Sequence, residues 1–341
     1  MLHFESDYLT GAHPEILRRL AEINGEAQPG YGDDAYCLSA AEKIRQSIGL
    51  PQAEIYFLMG GTQTNQVVIT TLLAPSAGVL TPVSGHISLH EAGAIEHGGH
   101  KVLALPARDG KLEACCLRKA LQDFAEDENR DFMVEPGLLY LSYPTEYGTL
   151  YTKAELTALH EICLEYGIPL YIDGARLGYG LASRACDLTL PELAGLCEVF
   201  YIGGTKMGAL CGEALVFTGM KAPHRFGALM KQQGALLAKG RLLGAQFDAL
   251  FTDGLYRRIG EHGIKMAERL KDILIRKGYP LYIDSPTNQQ FPILTGAQLE
   301  RLKGKLGFCF WEKAGEDRTV VRLATCWSTT EEQLDALEQL L

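Results

Sequence analysis

Six short apolar runs recur before residue 220, each closing on glycine, proline or polar residues: EIYFLMG (54–60), HKVLALP (100–106), GLLYLSYP (137–144), IPLYIDGA (168–175), EVFYIGG (198–204) and EALVFTG (213–219). Runs of this length without strict alternation predict strands buried on both faces, and such strands belong to parallel sheets covered by crossover helices. The intervening segments TNQVVITTLL (64–73), TKAELTALHEICLEYG (152–167) and LPELAGLC (190–197) carry the helical period that this arrangement needs. The chain is therefore expected to be an α/β protein with a mostly parallel central sheet and helices on both faces.

From about Leu242 to Lys277 the apolar residues keep helical spacing without strand-like runs, which predicts a connecting helical region. Beyond it, LYIDSP, FPILT, FCFWEK and TVVRLATCW followed by STTEEQLDALEQLL give a mixed pattern suited to a smaller α+β C-terminal domain. The expected division is a large domain over 1–245 and a small one over 246–341. Ser328 or Thr329 is the expected cap of the last helix, with Glu331 and Glu332 in its first turn.

The 341 residues are 47% hydrophobic, enough for a sizeable core. With 42 acidic against 32 basic residues and a formal charge of −10, no basic block offers itself to phosphate backbones or anionic lipid, so nucleic acid and membrane surfaces are excluded as expected partners. The start, MLHFESDYLTGAHPEIL, lacks a basic and apolar leader, and no stretch approaches the roughly 20 apolar residues of a spanning helix, so a cytoplasmic location is expected. Nine cysteines without a C-x-x-C pair are expected to be mostly reduced, small core residues.

The segment VFYIGGTKMGALCGEALVF sets Lys206 on a glycine-rich turn directly after a buried strand, where Gly203 and Gly204 would allow close approach to a ligand. Partial burial lowers a lysine's pKa and frees the neutral amine for Schiff-base chemistry; an ordinary exposed turn lysine is the competing reading. A P-loop fails on spacing, since Met207 follows Lys206 and the first glycine is missing. Thirty-three residues earlier, Asp173 ends an apolar strand in YIDGAR. It could cap the next helix, or pair with the pyridinium nitrogen of pyridoxal phosphate and keep that ring protonated. Both residues would sit at carboxyl ends of parallel strands, where open α/β sheets bind ligands. Upstream, Gly60, Gly61 and Thr62 open a helix after a strand, a geometry that binds phosphate.

The histidine-rich stretch PVSGHISLHEAGAIEHGGH raises a metal site, but H-E-A-G-A is not H-E-x-x-H and no ligand cluster accompanies it, so no metal is expected. His86 could instead cover the pyridine ring; His90, His97 and His100 read as structural. Arg176 and Arg322 each offer a fork for a carboxylate, and Arg322, inside an apolar strand, needs a partner that is either a substrate or an internal acid.

In combination, FESDYLTGAHPEIL, GYGDDAY (30–36), GGTQTN (60–65), GHISLHEAGA (85–94), PTEYGTLY (144–151), IDGAR (172–176), GGTKMG (203–208) and VRLATCW (321–327) resemble the low-specificity L-threonine aldolases. These belong to the β-eliminating lyase group of fold-type-I pyridoxal-phosphate enzymes, with the aspartate-aminotransferase-like fold. The resemblance runs nearly end to end. It implies that Lys206 carries pyridoxal 5'-phosphate, Asp173 meets the ring nitrogen and His86 stacks on the ring. Gly61 with Thr62 would hold the phosphate, Gly60, Arg176 and Thr205 would join the cofactor site, and Ser6, Arg176 and Arg322 would hold the substrate carboxylate. It also implies a homodimer or homotetramer with shared sites, which Lys239 or Arg241 of a neighbour would reach. Where many such enzymes have E-N-T-H-N, this chain has SYPTE, with Thr145 and Glu146 replacing the histidine-containing pair.

The implied reaction is aldol cleavage of L-threonine, L-allo-threonine and related β-hydroxy amino acids to glycine and an aldehyde. His86 is the first candidate for the base that takes the β-hydroxyl proton and Glu91 the second, directly or through water. Rival readings are β-elimination, racemisation or hydroxymethyl transfer on the same cofactor, or a non-catalytic cofactor-binding homologue.

Overall fold

The computed structural model describes all 341 residues, Met1–Leu341. Its main sheet has seven strands: β1 (Glu54–Leu58), β2 (Ala77–Pro82), β3 (Val102–Leu105), β4 (Glu135–Ser142), β5 (Leu170–Asp173), β6 (Val199–Gly203) and β7 (Glu213–Phe217). They lie in the order β1-β7-β6-β5-β4-β2-β3, and only β7 runs against the others. Six of the strands match the six apolar runs. The seventh, β2, is wholly buried yet was not among those runs, because AGVLTP is short and carries glycine and proline. Gly78 is required there, since a Cβ would stand 2.6 Å from the Lys101 carbonyl oxygen of the neighbouring strand.

Alternation along the strands divides the core into two layers. Leu170, Ile172, Phe200, Ile202, Ala214 and Val216 face one, while Tyr171, Val199, Tyr201, Leu215 and Phe217 face the other. Helices cover both faces. The helix Lys153–Tyr166 starts at a capping box between Thr152 and Glu155 and ends at Gly167 in the left-handed region, matching its expected bounds. The helix Gly61–Leu72 begins three residues earlier than its apolar pattern, directly on the glycine turn.

The helical region after the sheet divides into Arg241–Leu250 and the long helix Leu255–Arg276. The first half of the long helix packs through Leu255, Tyr256, Ile259 and Ile264 into the main core, and the second half, through Met266, Leu270, Ile273 and Leu274, into a separate core. Phe4 joins that second core, and Leu2–His3 pairs in parallel with Leu306–Gly307, so the N-terminus returns to the C-terminal part. There Ile293–Thr295, Arg318–Ala324 and Cys309–Lys313 form an antiparallel sheet. LYIDSP contributes only an isolated bridge between Leu281 and Pro292. The final helix, Glu331–Leu340, is capped by Thr330 in a capping box with Gln333. Ser328 and Thr329 are not its cap: Thr329 Oγ1 instead accepts from the Cys326 amide and Ser328 meets Thr10. All nine cysteines are free, and four of them are buried. No helix is long and apolar enough to cross a membrane.

Candidate active site

Two cavity lobes of about 570 and 400 Å³ open at the carboxyl ends of β4, β5 and β6, and both are lined by Tyr8, His86, His90, Glu146, Arg176 and Lys206. The smaller lobe adds Gly60, Gly61, Thr62, Asp173, Thr205 and Glu213. Residues 60 to 213 in sequence are thus gathered by the rule that places ligands at the strand ends of an open α/β sheet.

Asp173 ends β5 beneath this cavity and is 4% exposed. Tyr201 Oη donates to its Oδ1 at 2.5 Å, Tyr140 Oη to its Oδ2 at 2.6 Å, and Asn65 Nδ2 to the same Oδ2 at 3.1 Å. Tyr171 Oη completes the set by donating to Asn65 Oδ1 at 2.8 Å. Tyr140, Tyr171 and Tyr201 lie on neighbouring strands and face the same layer. Burial alone would raise the Asp173 pKa, but the His86 charge and the tyrosine hydrogen bonds more than offset it, so the carboxylate is held below its ordinary range. The Ala175 amide also donates to Asp173 Oδ1 at 3.0 Å, a local turn contact beside the expected ligand role.

Lys206 follows β6 in a single turn, Thr205–Met207. Burial and the Arg176 charge lower its pKa, which favours the neutral amine. The flanking glycines serve a purpose other than ligand approach. A Cβ on Gly203 would stand 2.3 Å from the Ala175 carbonyl oxygen, and one on Gly204 would stand 2.6 Å from that of Gly212. Gly203 lets the lysine turn pack onto the Asp173 loop, and Gly204 lets it pack onto the residue before β7.

Also lining the smaller lobe, the start of the helix Gly61–Leu72 has no side-chain cap at Gly60, leaving its first amides free for an anion. His86 is fixed from behind: its Nδ1 meets Glu91 Oε1 at 2.7 Å, and Asn65 Nδ2 donates to that same oxygen at 2.7 Å. Burial would lower the His86 pKa, but the Glu91 hydrogen bond, with Glu146 and Asp173 nearby, raises it overall. Glu91 itself, a candidate base, has a fully enclosed side chain and lines neither lobe; it reaches the cavity only through its contact with His86.

Arg176 also departs from expectation. Its Nε and Nη2 donate to Asp7 Oδ2 and Oδ1 at 2.6 and 3.0 Å, an internal partner that sequence reasoning did not find. Arg322 is the freer cation: it makes only 3.2 Å contacts from Nη1 to Gln289 Oε1 and from Nη2 to the Glu5 carbonyl, and its Nε has no partner. Ser6 is buried with an unpartnered Oγ, but does not line the cavity. His90, read as structural, lines both lobes with its ring 5.5 Å from that of His86. His97 is exposed, and His100 is buried with Nδ1 against the Ala77 carbonyl at 3.0 Å. Lys239 and Arg241 line neither lobe.

The larger lobe is walled by residues the sequence did not single out. Cys309–Lys313 pairs with Arg318–Ala324 through a bulge between Phe310 and Glu312, which leaves Trp311 unpaired. The Trp311 ring lies 5.9 Å from His90, 5.5 Å from Tyr147 and 5.6 Å from the Arg322 guanidinium carbon. No periodicity signals a bulge.

The family model for β-eliminating lyases matches residues 3–291. The chain belongs to the β-eliminating lyase family. Within it, the low-specificity L-threonine aldolase of Pseudomonas aeruginosa is 30% identical, over 98% of this chain and 95% of that one. The Saccharomyces cerevisiae protein of the same description is 24% identical, covering 86% and 74%. Among solved structures, a threonine aldolase of Leishmania major superposes with a TM-score of 0.96 at 40% identity, over 100% of this chain and 98% of that one. A histidinol-phosphate aminotransferase of Clostridium acetobutylicum, at 13% identity and a TM-score of 0.74, shares the fold over 100% of this chain and 98% of that one.

Proposed function

We propose that this β-eliminating lyase is a pyridoxal-phosphate-dependent aldehyde-lyase that cleaves L-threonine, L-allo-threonine and related β-hydroxy amino acids to glycine and an aldehyde. The observation that carries the reading is the desolvated Lys206 sharing one cavity with the anchored Asp173 carboxylate and with His86. The uncapped helix start at Gly60 and the Arg322 guanidinium on the wall of the larger lobe suit the cofactor's phosphate and a substrate carboxylate.

When bound, the cofactor supplies an electron sink for the pair released at Cα as the Cα–Cβ bond breaks. Lys206 would carry it, Asp173 would keep its ring nitrogen protonated, and Gly60, Gly61, Thr62 and Thr205 would hold its phosphate. Arg322 would bind the substrate carboxylate and so fix which bond at Cα is aligned for cleavage. Arg176, already paired with Asp7, would add positive charge to that side. His86 would take the β-hydroxyl proton at Nε2, because Nδ1 is held by Glu91. The larger lobe between Leu89, Tyr147 and Trp311 would receive the side chain that leaves as aldehyde.

Further parts of the reading are a cytoplasmic location, supported by nine unpaired cysteines, and a homodimer or homotetramer, which light scattering would test. We place the division between the two bodies inside the helix Leu255–Arg276, where its contacts pass from one core to the other. The test of function is acetaldehyde release from L-threonine and L-allo-threonine, with Lys206→Ala as control. Release that disappears in the variant is expected; a lysine-dependent cofactor absorption band without any release would refute the aldolase reading.

A further inference from the structure

Glu213 opens β7 beside the lysine turn and is 4% exposed, yet it lines the same lobe as Gly60, Gly61, Thr62 and Thr205. A carboxyl group in an anion cradle is unexpected, because a carboxylate there would repel a phosphate. Its hydrogen bonds show how the conflict is resolved. Glu213 Oε2 accepts from the Gly204 amide at 3.0 Å, and Oε1 accepts from Thr205 Oγ1 at 3.0 Å. Thr205 Oγ1 in turn accepts from the Gly212 amide at 3.2 Å.

A threonine hydroxyl has one proton to give. While Glu213 is ionised, that proton points at Glu213, and Thr205 can present only lone pairs to a phosphate. If Glu213 is protonated at Oε1, the bond reverses: the acid donates to Thr205 Oγ1, which keeps the Gly212 amide as its second donor and turns its own O–H toward the cavity. Oε2 still accepts from Gly204. One proton thus removes a negative charge from the cradle and adds a donor to it.

Resting on the cofactor assignment above, we infer that Glu213 is a carboxylic acid when the cofactor phosphate is bound, and that binding the phosphate from an ionised Glu213 takes up one proton there. Burial already favours the acid, raising its pKa to about 8 despite the attraction of Lys206. The other titratable groups that feel Glu213 are Asp173, Cys211, Tyr171, Tyr201 and Tyr256. Burial raises the pKa of the thiol and the three phenols, which keeps them neutral, and Asp173 is held ionised, so Lys206 is the one competing titration.

The test uses pyridoxine 5'-phosphate, which has no aldehyde to react with Lys206, added to the full chain freed of cofactor. Wild type and Glu213→Gln are compared across pH; the amide keeps an acceptor for Gly204 and donates permanently to Thr205. The ratio of their Kd values cancels the titration of the ligand, while that of Lys206, whose charge acts on Glu213, only shifts the pH at which the rise begins. The ratio is expected to be flat below about pH 8 and to rise about tenfold per pH unit above it. A ratio flat over the whole range overturns the inference while leaving the cofactor assignment intact; no binding by wild type at any pH overturns both. If the variant does not fold, infrared difference spectra of wild type decide: a protonated carboxyl band must appear on ligand binding above about pH 8, and its absence refutes the proposal.

Discussion

Removing Asp7 should destabilise this protein severely, although the residue lies in the stretch between the strand Leu2–His3 and the helix Pro14–Glu22, outside both. Its side chain has no exposure and that of Arg176 has 7%, and two charge-assisted hydrogen bonds join them. Asn288 Nδ2 also donates to Asp7 Oδ2 at 2.9 Å. Asp7→Ala leaves a buried guanidinium without a counter-charge, and breaking such a pair from one side costs about 3–5 kcal/mol. That is a large fraction of the ~5–15 kcal/mol by which domains are stable. Burial would raise the Asp7 pKa, but Arg176, then Lys206 and Arg322, hold it far below the ordinary carboxylate range. The contribution is therefore complete above the unfolded value of about 3.9 and is lost only as pH falls through the depressed folded value. The gap between wild type and variant should be the same at about pH 6 and about pH 8 on this account. Urea unfolding followed by tryptophan fluorescence measures it. Arg176→Met added to Asp7→Ala should recover part of the loss, since an apolar replacement of a whole buried pair is often neutral. A loss below about 1 kcal/mol for Asp7→Ala, or no recovery in the double variant, would refute the assignment of Asp7 as the buried counter-charge.

The Glu91–His86 contact predicts that Glu91→Gln lowers the His86 pKa and moves the acid limb of the kcat/KM profile to lower pH. With a charge-assisted bond replaced by a neutral one, kcat/KM at its plateau should fall by roughly fivefold, about 1 kcal/mol; an unmoved limb would show that Glu91 does not set the His86 charge. Gly203→Ala forces a methyl against the Ala175 carbonyl and should cost about 1–3 kcal/mol or more, read as a lowered thermal midpoint together with weaker cofactor retention. Thr330→Ala should lower stability by about 1 kcal/mol by removing the last helix's cap. Ser328→Ala should change it by less than about 0.5 kcal/mol, and equal effects would put the helix start elsewhere.

The sequence by itself determined the layered α/β architecture. Six strands and three of the helices between them are written in local apolar runs and helical periods, which depend on neighbours in the chain, whereas the helix Ala114–Glu126 was not among them. It also supplied Lys206, Asp173, His86 and the glycine turn at Gly60, because each follows a strand and strand ends of a parallel sheet converge on one edge. Only the tertiary structure decided which groups these residues face. Asp7 meets Arg176 across 169 positions, Asn65 links Asp173 to Glu91, and Trp311 enters the site through a bulge. A buried charge must find a partner, but nothing local in the chain names it: the partner is whichever group the packed fold brings within hydrogen-bonding distance. For the same reason Arg176 proved to be paired and Glu91 enclosed, and Glu213, an unremarked residue at a strand start, came to line the smaller lobe.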